Sequence, residues 1–155
     1  MSSLITIVSF TDALASEFAR LNKAWLQKYF AVEPIDEIML GEPQKYIIDN
    51  GGYIFFAKTG DEIAGTFALM KVNDDVYELG KMAVDEKHQG KKIGNAMLEF
   101  CISKSKELGA VKVQLYSNTI LGPAIHLYEK YGFVEVPLDH SEYKRSNIKM
   151  EVAIN

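Results

Sequence analysis

The segment that joins an apolar strand to the next helix holds the residues best suited to chemistry. Residues 77–84 are apolar and β-compatible, and the polar turn 85–88 ends this strand. Residues 89–94 (QGKKIG) then supply a run of backbone N–H groups and two glycines, before helical spacing begins at Asn95. The first N–H groups of a helix lack intrahelical partners, and the helix dipole favours negative charge there. The sequence therefore predicts an anion-binding site at this junction.

Two common phosphate-binding patterns do not match this loop. A Walker-type loop requires G-x-x-x-x-G-K-[ST], but Gly90 and Gly94 are too close together and no Lys-Ser or Lys-Thr pair follows them. A dinucleotide fingerprint requires G-x-G-x-x-G, whereas the order here is G-K-K-I-G. Neither class of nucleotide site is therefore expected.

The loop resembles instead the acetyl-CoA loop of the GNAT acetyltransferase superfamily. That loop has the pattern [Q/R]-x-x-G-x-[G/A] and follows a strand that ends in a V-x-P-like step. Here Val84 ends the strand, Gln89 opens the loop, and Gly90 and Gly94 match family glycines. Lys92 replaces the middle glycine, at which the family's backbone approaches the pyrophosphate. A side chain is tolerated there if φ stays negative, and it adds positive charge beside the phosphates.

A second motif carries the same resemblance. The family places an Asn after its fifth strand, then a helix with A-x-x-x-Y, then G-F at the start of the next strand. The matching residues are Asn118, Ala124, Tyr128, Gly132 and Phe133. Two motifs in the right order and spacing are much stronger than either alone. The chain is therefore similar to stand-alone bacterial GNAT N-acetyltransferases over nearly its whole length.

Hydrophobic periodicity and turn residues predict seven strands and about four helices. The strands are expected at 4–10, 53–58, 63–72, 77–84, 111–116, 133–136 and 147–154. Four helices are expected at 13–29, 44–49, 93–108 and about 123–131, and any short helix in the less regular stretch 30–43 would lie at 36–40. The resemblance implies a single α/β (α+β) GNAT domain over 1–155. Its twisted, mostly antiparallel sheet would be splayed between the fourth and fifth strands, with acetyl-CoA in the V-shaped cleft.

Composition restricts the class of protein and its partners. The chain has 155 residues and a net charge of −4, with basic residues scattered apart from Lys87, Lys91 and Lys92, so nucleic acid is not an expected partner. One cysteine excludes an internal disulfide framework and suits a reducing compartment. No apolar run reaches the length of a membrane span, and no signal peptide precedes the first strand. We therefore expect a cytoplasmic protein with no membrane partner.

Metal and nucleophile chemistries find no support in the sequence. His88, His126 and His140 show no metal-ligand spacing, so no metal is expected. Cys101 falls on the apolar face of the helix after the loop, which favours a small core residue over a nucleophile. No Ser or Cys triad pattern appears.

Acetyl transfer to an amine needs an unprotonated nitrogen, because the ammonium form has no lone pair. A lysine-like amine is neutral to the extent of only about one part in a thousand at pH 7, so a carboxylate that accepts its proton is useful. Glu78 lies five residues before Ala83, where the family often keeps its general base. The alternative is that Glu78 belongs to the exposed face of an alternating strand.

The resemblance implies roles for further residues. The main-chain N–H of Met82 would polarise the thioester carbonyl, and the main chain at Ala83 and Val84 would hold the pantetheine arm. Tyr128 matches the acid that protonates the departing thiolate, or else it packs against the loop helix with its hydroxyl in water. Asn118 would contact the pantetheine arm or orient the region of Tyr128. The pyrophosphate would be surrounded by Gln89, Gly90, Lys91, Lys92, Ile93, Gly94 and Asn95.

The acceptor amine is not determined by the sequence. Trp25, Phe30, Glu33 and Asp36 are the candidates for substrate contact. The alternatives are a core or groove-wall position for Trp25 and helix-capping roles for most acids of 31–43. Polyamines, amino acids, antibiotics and peptide N-termini all stay open, as does the oligomeric state, although homodimers are common in the family.

We therefore expect an acetyl-CoA-dependent N-acetyltransferase in which a primary amine attacks directly, with Glu78 as general base and Tyr128 as general acid. The alternative is a non-catalytic acyl-CoA-binding sensor with the same fold, which Lys92 favours. A third option is an enzyme with another acyl group or an oxygen acceptor.

Overall fold

A computed structural model describes residues 4–139, 141 and 143–155, so His140 lies outside the described residues. The strands are β1 (Ile5–Ser9), β2 (Tyr53–Thr59), β3 (Glu62–Lys71), β4 (Val76–Val84), β5 (Lys112–Ser117), β6 (Val134–Val136) and β7 (Ile148–Ala153). The α-helices are α1 (Ala15–Tyr29), α2 (Pro34–Gly41), α3 (Ile93–Glu107) and α4 (Gly122–Lys130). Short 3-10 turns lie at Asp12–Leu14 and Glu86–His88.

All seven strands form one sheet, in the order β1-β2-β3-β4-β5-β7-β6. Every neighbouring pair is antiparallel except β4 and β5, which run parallel. This sheet confirms the predicted fold class.

Two predicted helices differ in detail from the structure. Helix α2 begins at Pro34 rather than at residue 36, because proline suits the first helical turn. The helix expected at 44–49 is a single π-helical turn, Gln44–Ile48, and the chain turns into β2 at Gly51 and Gly52.

The core lies on both faces of the sheet. On one face, Met97, Leu98 and Cys101 of α3 pack with Phe55 and Phe67. On the other face, α1 and α2 contribute apolar residues such as Phe18, Leu26 and Leu40, which pack with Ile54 and Phe56. Strand β2 therefore buries side chains on both faces, which explains its nearly continuous apolar sequence. Among the described residues, no helix combines the length and apolar character needed to cross a membrane.

The parallel pairing of β4 and β5 is short. It joins Val76 to Lys112, Tyr77 to Val113 and Glu78 to Gln114, and then stops, although both strands continue. We call the end of this pairing, at Glu78 and Gln114, the fork. Beyond the fork the sheet is open, as predicted.

Candidate active site

A cleft of about 590 Å³ opens beyond the fork. The polar turn and loop after β4, the start of α3, helix α4 and the end of α1 contribute to its lining. The predicted site residues that line it are Trp25, Phe30, Asp36, Glu78, Met82, Ala83, Val84, Gln89, Gly90, Lys92, Ile93, Gly94, Asn95, Asn118 and Tyr128. The structure thus brings together residues that span most of the chain. Lys91 and Glu33 are not among the lining residues.

The loop presents the N-terminus of α3 to the cleft. The first intrahelical bond runs from the Ala96 N–H to the Lys92 carbonyl, so the N–H groups of Ile93, Gly94 and Asn95 precede the helical ladder. All three residues line the cleft. This arrangement confirms the predicted strand–loop–helix junction and matches the geometry of an anion site.

The backbone at Lys92 differs from expectation. Its φ is +62°, in the left-handed region, rather than negative as a side chain would prefer. Gly90 also has a positive φ of +81°. Lys92 therefore keeps a glycine-like conformation despite its Cβ, at a typical cost of about 1 kcal/mol.

Charged residues hold the turn before the loop. The Asp85 carboxylate accepts a hydrogen bond from the Lys87 N–H and pairs with Arg20 of α1 at 3.2 Å. Glu62 of β3 pairs with Lys87 at 2.8 Å, and its carboxylate lies 3.0 Å from Nε2 of the buried His88. These contacts tie the loop to α1 and β3.

A β-bulge shapes β4 beyond the fork. The pairing with β3 passes from Ala68 and Gly80 to Thr66 and Ala83, so Lys81 and Met82 share the single residue between them on β3. Lys81 has a φ of +53°. Bulges interrupt the ladder and re-aim side chains, and this one directs the buried Lys81 towards α2, where it meets Asp36.

Glu78 lies at the fork and lines the cleft. Its Oε1 accepts a hydrogen bond of 3.1 Å from Nε2 of Gln114. Glu78 is half-buried. Glu78 therefore lies on the less buried face of β4, and this face borders the cleft.

Tyr128 lines the opposite side of the cleft, on α4. Its ring packs edge-on against Phe133 at a centroid distance of 5.9 Å. Burial raises the pKa of Tyr128 to about 12, with a smaller contribution from Cys101. The phenol is therefore protonated at neutral pH and can act as a proton donor.

Two amides of the predicted site make structural hydrogen bonds. Asn118 donates from Nδ2 to the Arg145 carbonyl at 2.7 Å and accepts from the Ile120 N–H at 2.9 Å. Asn95 donates to the Tyr131 hydroxyl at 3.4 Å. Asn118 thus holds the chain that follows β5 against segment 143–146.

Glu33 and Asp36, two of the candidates for substrate contact, are ion-paired within the protein. Asp36 is fully buried, and its oxygens contact Lys81 Nζ at 2.8 Å and Arg145 at 2.8 and 3.0 Å. Oδ2 of Asp36 also accepts from the Glu33 N–H at the start of α2. Glu33 accepts from Arg145 and from the Lys144 N–H. Basic side chains of the protein therefore compensate both charges. The helix-capping alternative also holds in part, because Asp36 accepts a hydrogen bond at the start of α2.

Lys81, Tyr143 and Arg145 also line the cleft, and no sequence pattern identified them as site residues. The Tyr143 ring lies under two cations, 4.5 Å from Lys81 Nζ and 4.3 Å from the Arg145 guanidinium carbon. We call Glu33, Asp36, Lys81, Tyr143 and Arg145 the ion-paired wall. No local pattern marks it, because its members lie on α2, β4 and the segment before β7.

Aromatic residues form another part of the cleft. Trp25 packs against Tyr29 at 5.5 Å and against Phe30 at 5.7 Å, and all three line the cleft. Trp25 is therefore a wall residue, one of the alternatives that the sequence left open. Among the described residues, no group of three His, Cys, Asp or Glu side chains is placed to hold a metal ion.

The family is decided by a sequence comparison. A family model of the acetyltransferase (GNAT) domain matches residues 50–135, more than half of the chain. The chain belongs to the GNAT acetyltransferase family. An uncharacterized N-acetyltransferase of Bacillus subtilis strain 168, YvbK, is 32% identical over 116 residues, which are 73% of this chain and 75% of the relative.

Solved GNAT structures share the fold. An acetyltransferase of the GNAT family from Staphylococcus aureus Mu50 matches with a TM-score of 0.87 and 20% identity, over 98% of this chain and 100% of that one. The spermidine N-acetyltransferase of Vibrio cholerae, in complex with CoA and spermine, matches with a TM-score of 0.75 and 20% identity, over 97% and 95% of the two chains.

Lys92 provides a test of the loop conformation. Lys92→Gly should stabilise this GNAT protein by about 1 kcal/mol, because glycine adopts the left-handed conformation without a Cβ clash. Lys92→Ala is the matched control, since it removes the charge but keeps the Cβ. Thermal unfolding should show a midpoint about 2–4 °C higher for the glycine variant than for the alanine variant. Equal midpoints would contradict a strained loop.

The ion-paired wall predicts a pH-dependent stability. Burial alone would raise the pKa of Asp36, but hydrogen bonds from Arg145 and Lys81 outweigh it and lower this pKa from 3.8 to about 2. The unfolded chain therefore binds a proton before the folded chain does as pH falls. A contribution of about 2 kcal/mol, complete above about pH 5, should be lost as pH falls to 2.

Urea unfolding between pH 7 and pH 2 measures this contribution. Asp36→Asn should reduce the pH dependence and lower stability at pH 7 by about 3–5 kcal/mol, because Lys81 and Arg145 lose their buried carboxylate. Asp61→Asn, in the exposed turn between β2 and β3, is the control and should change neither quantity. An unchanged pH dependence in Asp36→Asn would refute the assignment to Asp36.

Proposed function

We propose that this chain is an acetyl-CoA-dependent N-acetyltransferase that moves an acetyl group to a primary amine by direct attack. The observation that supports this most is the convergence at one cleft of Glu78, the N-terminus of α3 and Tyr128. These three groups are a base, an anion site and an acid, the set that such a transfer requires.

The residues present suit acetyl-CoA. The N–H groups of Ile93, Gly94 and Asn95, the helix dipole of α3 and the charge of Lys92 suit a pyrophosphate. The part of β4 from Met82 to Val84 has no β5 partner among the described residues, and its main chain can hydrogen-bond the amides of a pantetheine arm. When bound, acetyl-CoA supplies the acetyl group as an activated thioester.

The protein's residues handle the protons of the transfer. Glu78 would take a proton from the substrate ammonium, directly or through water, and so expose the nitrogen lone pair. The amine nitrogen would then bond to the acetyl carbon as the carbon–sulfur bond breaks, and the proton that this nitrogen loses on becoming an amide would return through water to the Tyr128 phenolate. Tyr128 would protonate the departing sulfur, and the Met82 N–H would stabilise charge on the carbonyl oxygen. Tyr128, whose pKa burial raises to about 12, is protonated at neutral pH, as a phenol of ordinary pKa also is.

The end of the cleft at which the acceptor amine would bind is bounded by the aromatic residues of α1 and by the ion-paired wall. We propose that Trp25 and Phe30 contact the body of the acceptor, and that Asp36 and Glu33 shape its site through their ion pairs. The spermidine N-acetyltransferase among the similar structures acts, as its name says, on an amine, which is consistent with an amine acceptor here.

Isosteric variants test the two proton-transfer roles. Glu78→Gln and Tyr128→Phe should each lower kcat by on the order of 10²-fold, because each removes a proton acceptor or donor and leaves the cleft's shape unchanged. Free-thiol release with a panel of primary amines measures this loss.

The matched controls are Glu135→Gln on β6 and Tyr46→Phe in the π-helical turn, which lie outside the lining of the cleft. Both should keep the unmodified rate. Near-unmodified rates in Glu78→Gln and Tyr128→Phe would refute the mechanism. Thiol release with none of the amines, despite acetyl-CoA binding, would favour the acyl-CoA sensor.

Binding of acetyl-CoA tests the loop separately from catalysis. A Cβ on Gly94 would lie 3.0 Å from Leu127 of α4, so Gly94→Trp should fill the junction of α3 with α4 and abolish binding measured by calorimetry. Gly41→Trp is the control, because a Cβ there meets no atom within 4 Å. Far-UV circular dichroism checks that both variants fold. Retained binding in a folded Gly94→Trp would place the cosubstrate elsewhere.

A further inference from the structure

Gln114 contacts Glu78 at the fork. Glu78 and Gln114 are the last paired residues of β4 and β5, and the Gln114 amide donates to Glu78 Oε1 at 3.1 Å. Gln114 is 8% exposed, whereas its neighbours in sequence, Val113 and Leu115, belong to the apolar core. A buried amide at this position needs a partner, and Glu78 provides it.

Charged groups around this contact are already paired with one another. On the neighbouring strand β7, Glu151 lies opposite Gln114. Glu151 pairs with Lys112 at 3.0 Å and lies 3.9 Å from Lys149. Lys149 in turn pairs with Asp139 at 2.8 Å, and Asp139 accepts from the Tyr116 hydroxyl. On β3 the residue opposite Glu78 is Met70, which carries no charge.

Two titratable groups interact with Glu78 at longer range. Lys81 lies on the same strand and Tyr116 lies on β5. Burial lowers the pKa of Lys81 and raises the pKa of Tyr116, and the charge of Glu78 has a smaller upward influence on each. Lys81 is engaged by Asp36, at 2.8 Å. Gln114 differs from all these groups because it does not titrate, so its donated hydrogen bond persists at every pH.

We propose that Gln114 is a positioning residue for the transfer: its amide fixes the Glu78 carboxylate at the fork and favours the ionised form that accepts a proton. This inference rests on the proposed function, in which Glu78 is the base. A hydrogen bond donated to a carboxylate stabilises the charged form and restricts the carboxylate's rotation. Gln114 itself exchanges no proton with the substrate.

The pH profile of kcat/KM for the amine distinguishes this role from a structural one. Gln114→Met keeps the length of the side chain but removes the donor. The midpoint of the acid limb should rise by about one pH unit, and kcat/KM should fall by up to about tenfold at pH values below that midpoint, with unchanged acetyl-CoA affinity. Gln114→Glu should move the acid limb further, because a second carboxylate faces the first. This second variant keeps the test decisive if Gln114→Met does not fold.

The chain offers a matched control. Gln44 also donates from its side-chain amide to a carboxylate, Oδ1 of Asp49, at 2.8 Å, but it is exposed and lies outside the lining of the cleft. Gln44→Met removes the same type of hydrogen bond. It should leave the pH profile of kcat/KM unchanged.

A double variant separates this inference from the proposed function. If Gln114 acts through Glu78, Gln114→Met should cause almost no further loss in a Glu78→Gln background. A full additional loss there would show an independent role and overturn the inference. An unshifted acid limb in Gln114→Met and Gln114→Glu, with Glu78→Gln strongly impaired, would overturn the inference alone. An active Glu78→Gln enzyme would overturn the base assignment and the inference together.

Discussion

The short parallel contact between β4 and β5 is the constraint on which the cleft depends. Three residue pairs join these strands, and the chain then sends each strand into a different connection. The loop and α3 follow β4, whereas α4 follows β5. A longer ladder would close the cleft and pair the main-chain groups of β4. A shorter one would remove the fixed vertex at which Glu78 and Gln114 meet.

The bulge in β4 lies in the part of this strand that continues beyond its pairing with β5. Two residues of β4, Lys81 and Met82, lie opposite a single residue of β3. The strand therefore bends, and the Lys81 side chain is directed away from the regular ladder. A buried ammonium is costly unless a carboxylate accompanies it, and Asp36 provides that carboxylate. Arg145 joins the same carboxylate from the segment before β7. The ion pairs thereby connect α2, β4 and that segment into one wall, whose exact arrangement follows from the position of Lys81.

At Lys92 the loop has a left-handed backbone conformation, which suits glycine better than lysine. Lys92 occupies the left-handed region that the family's glycine would occupy without strain. The neighbouring turn is held by ion pairs to Arg20 and Glu62, so the surrounding contacts dictate the backbone there. The condition under which a side chain at position 92 would be free of strain, a negative φ, is therefore not met.

Most of the fold could be predicted from the sequence. The seven strands, α1, α3 and α4 follow from periodicity and from turn residues, which act over a few neighbouring positions. The family motifs also identified the loop, and they identified Glu78 and Tyr128 as residues of one cleft. The start of α2 and the π-helical turn at Gln44–Ile48 were less accurate, because the stretch that contains them has weak periodicity.

The sequence by itself determined the order of the elements, the anion-suited junction and the types of side chain available for acid and base chemistry. Only the tertiary structure decided which charges meet. Asp36 is a candidate for substrate contact by sequence, and the structure adds that Lys81, 45 positions away, and Arg145, 109 positions away, lie beside it. Gln114 became a partner of Glu78 only through the register of β4 with β5. Local patterns report periodicity and turns, whereas these pairings depend on strand register and a bulge, which sequence spacing does not encode.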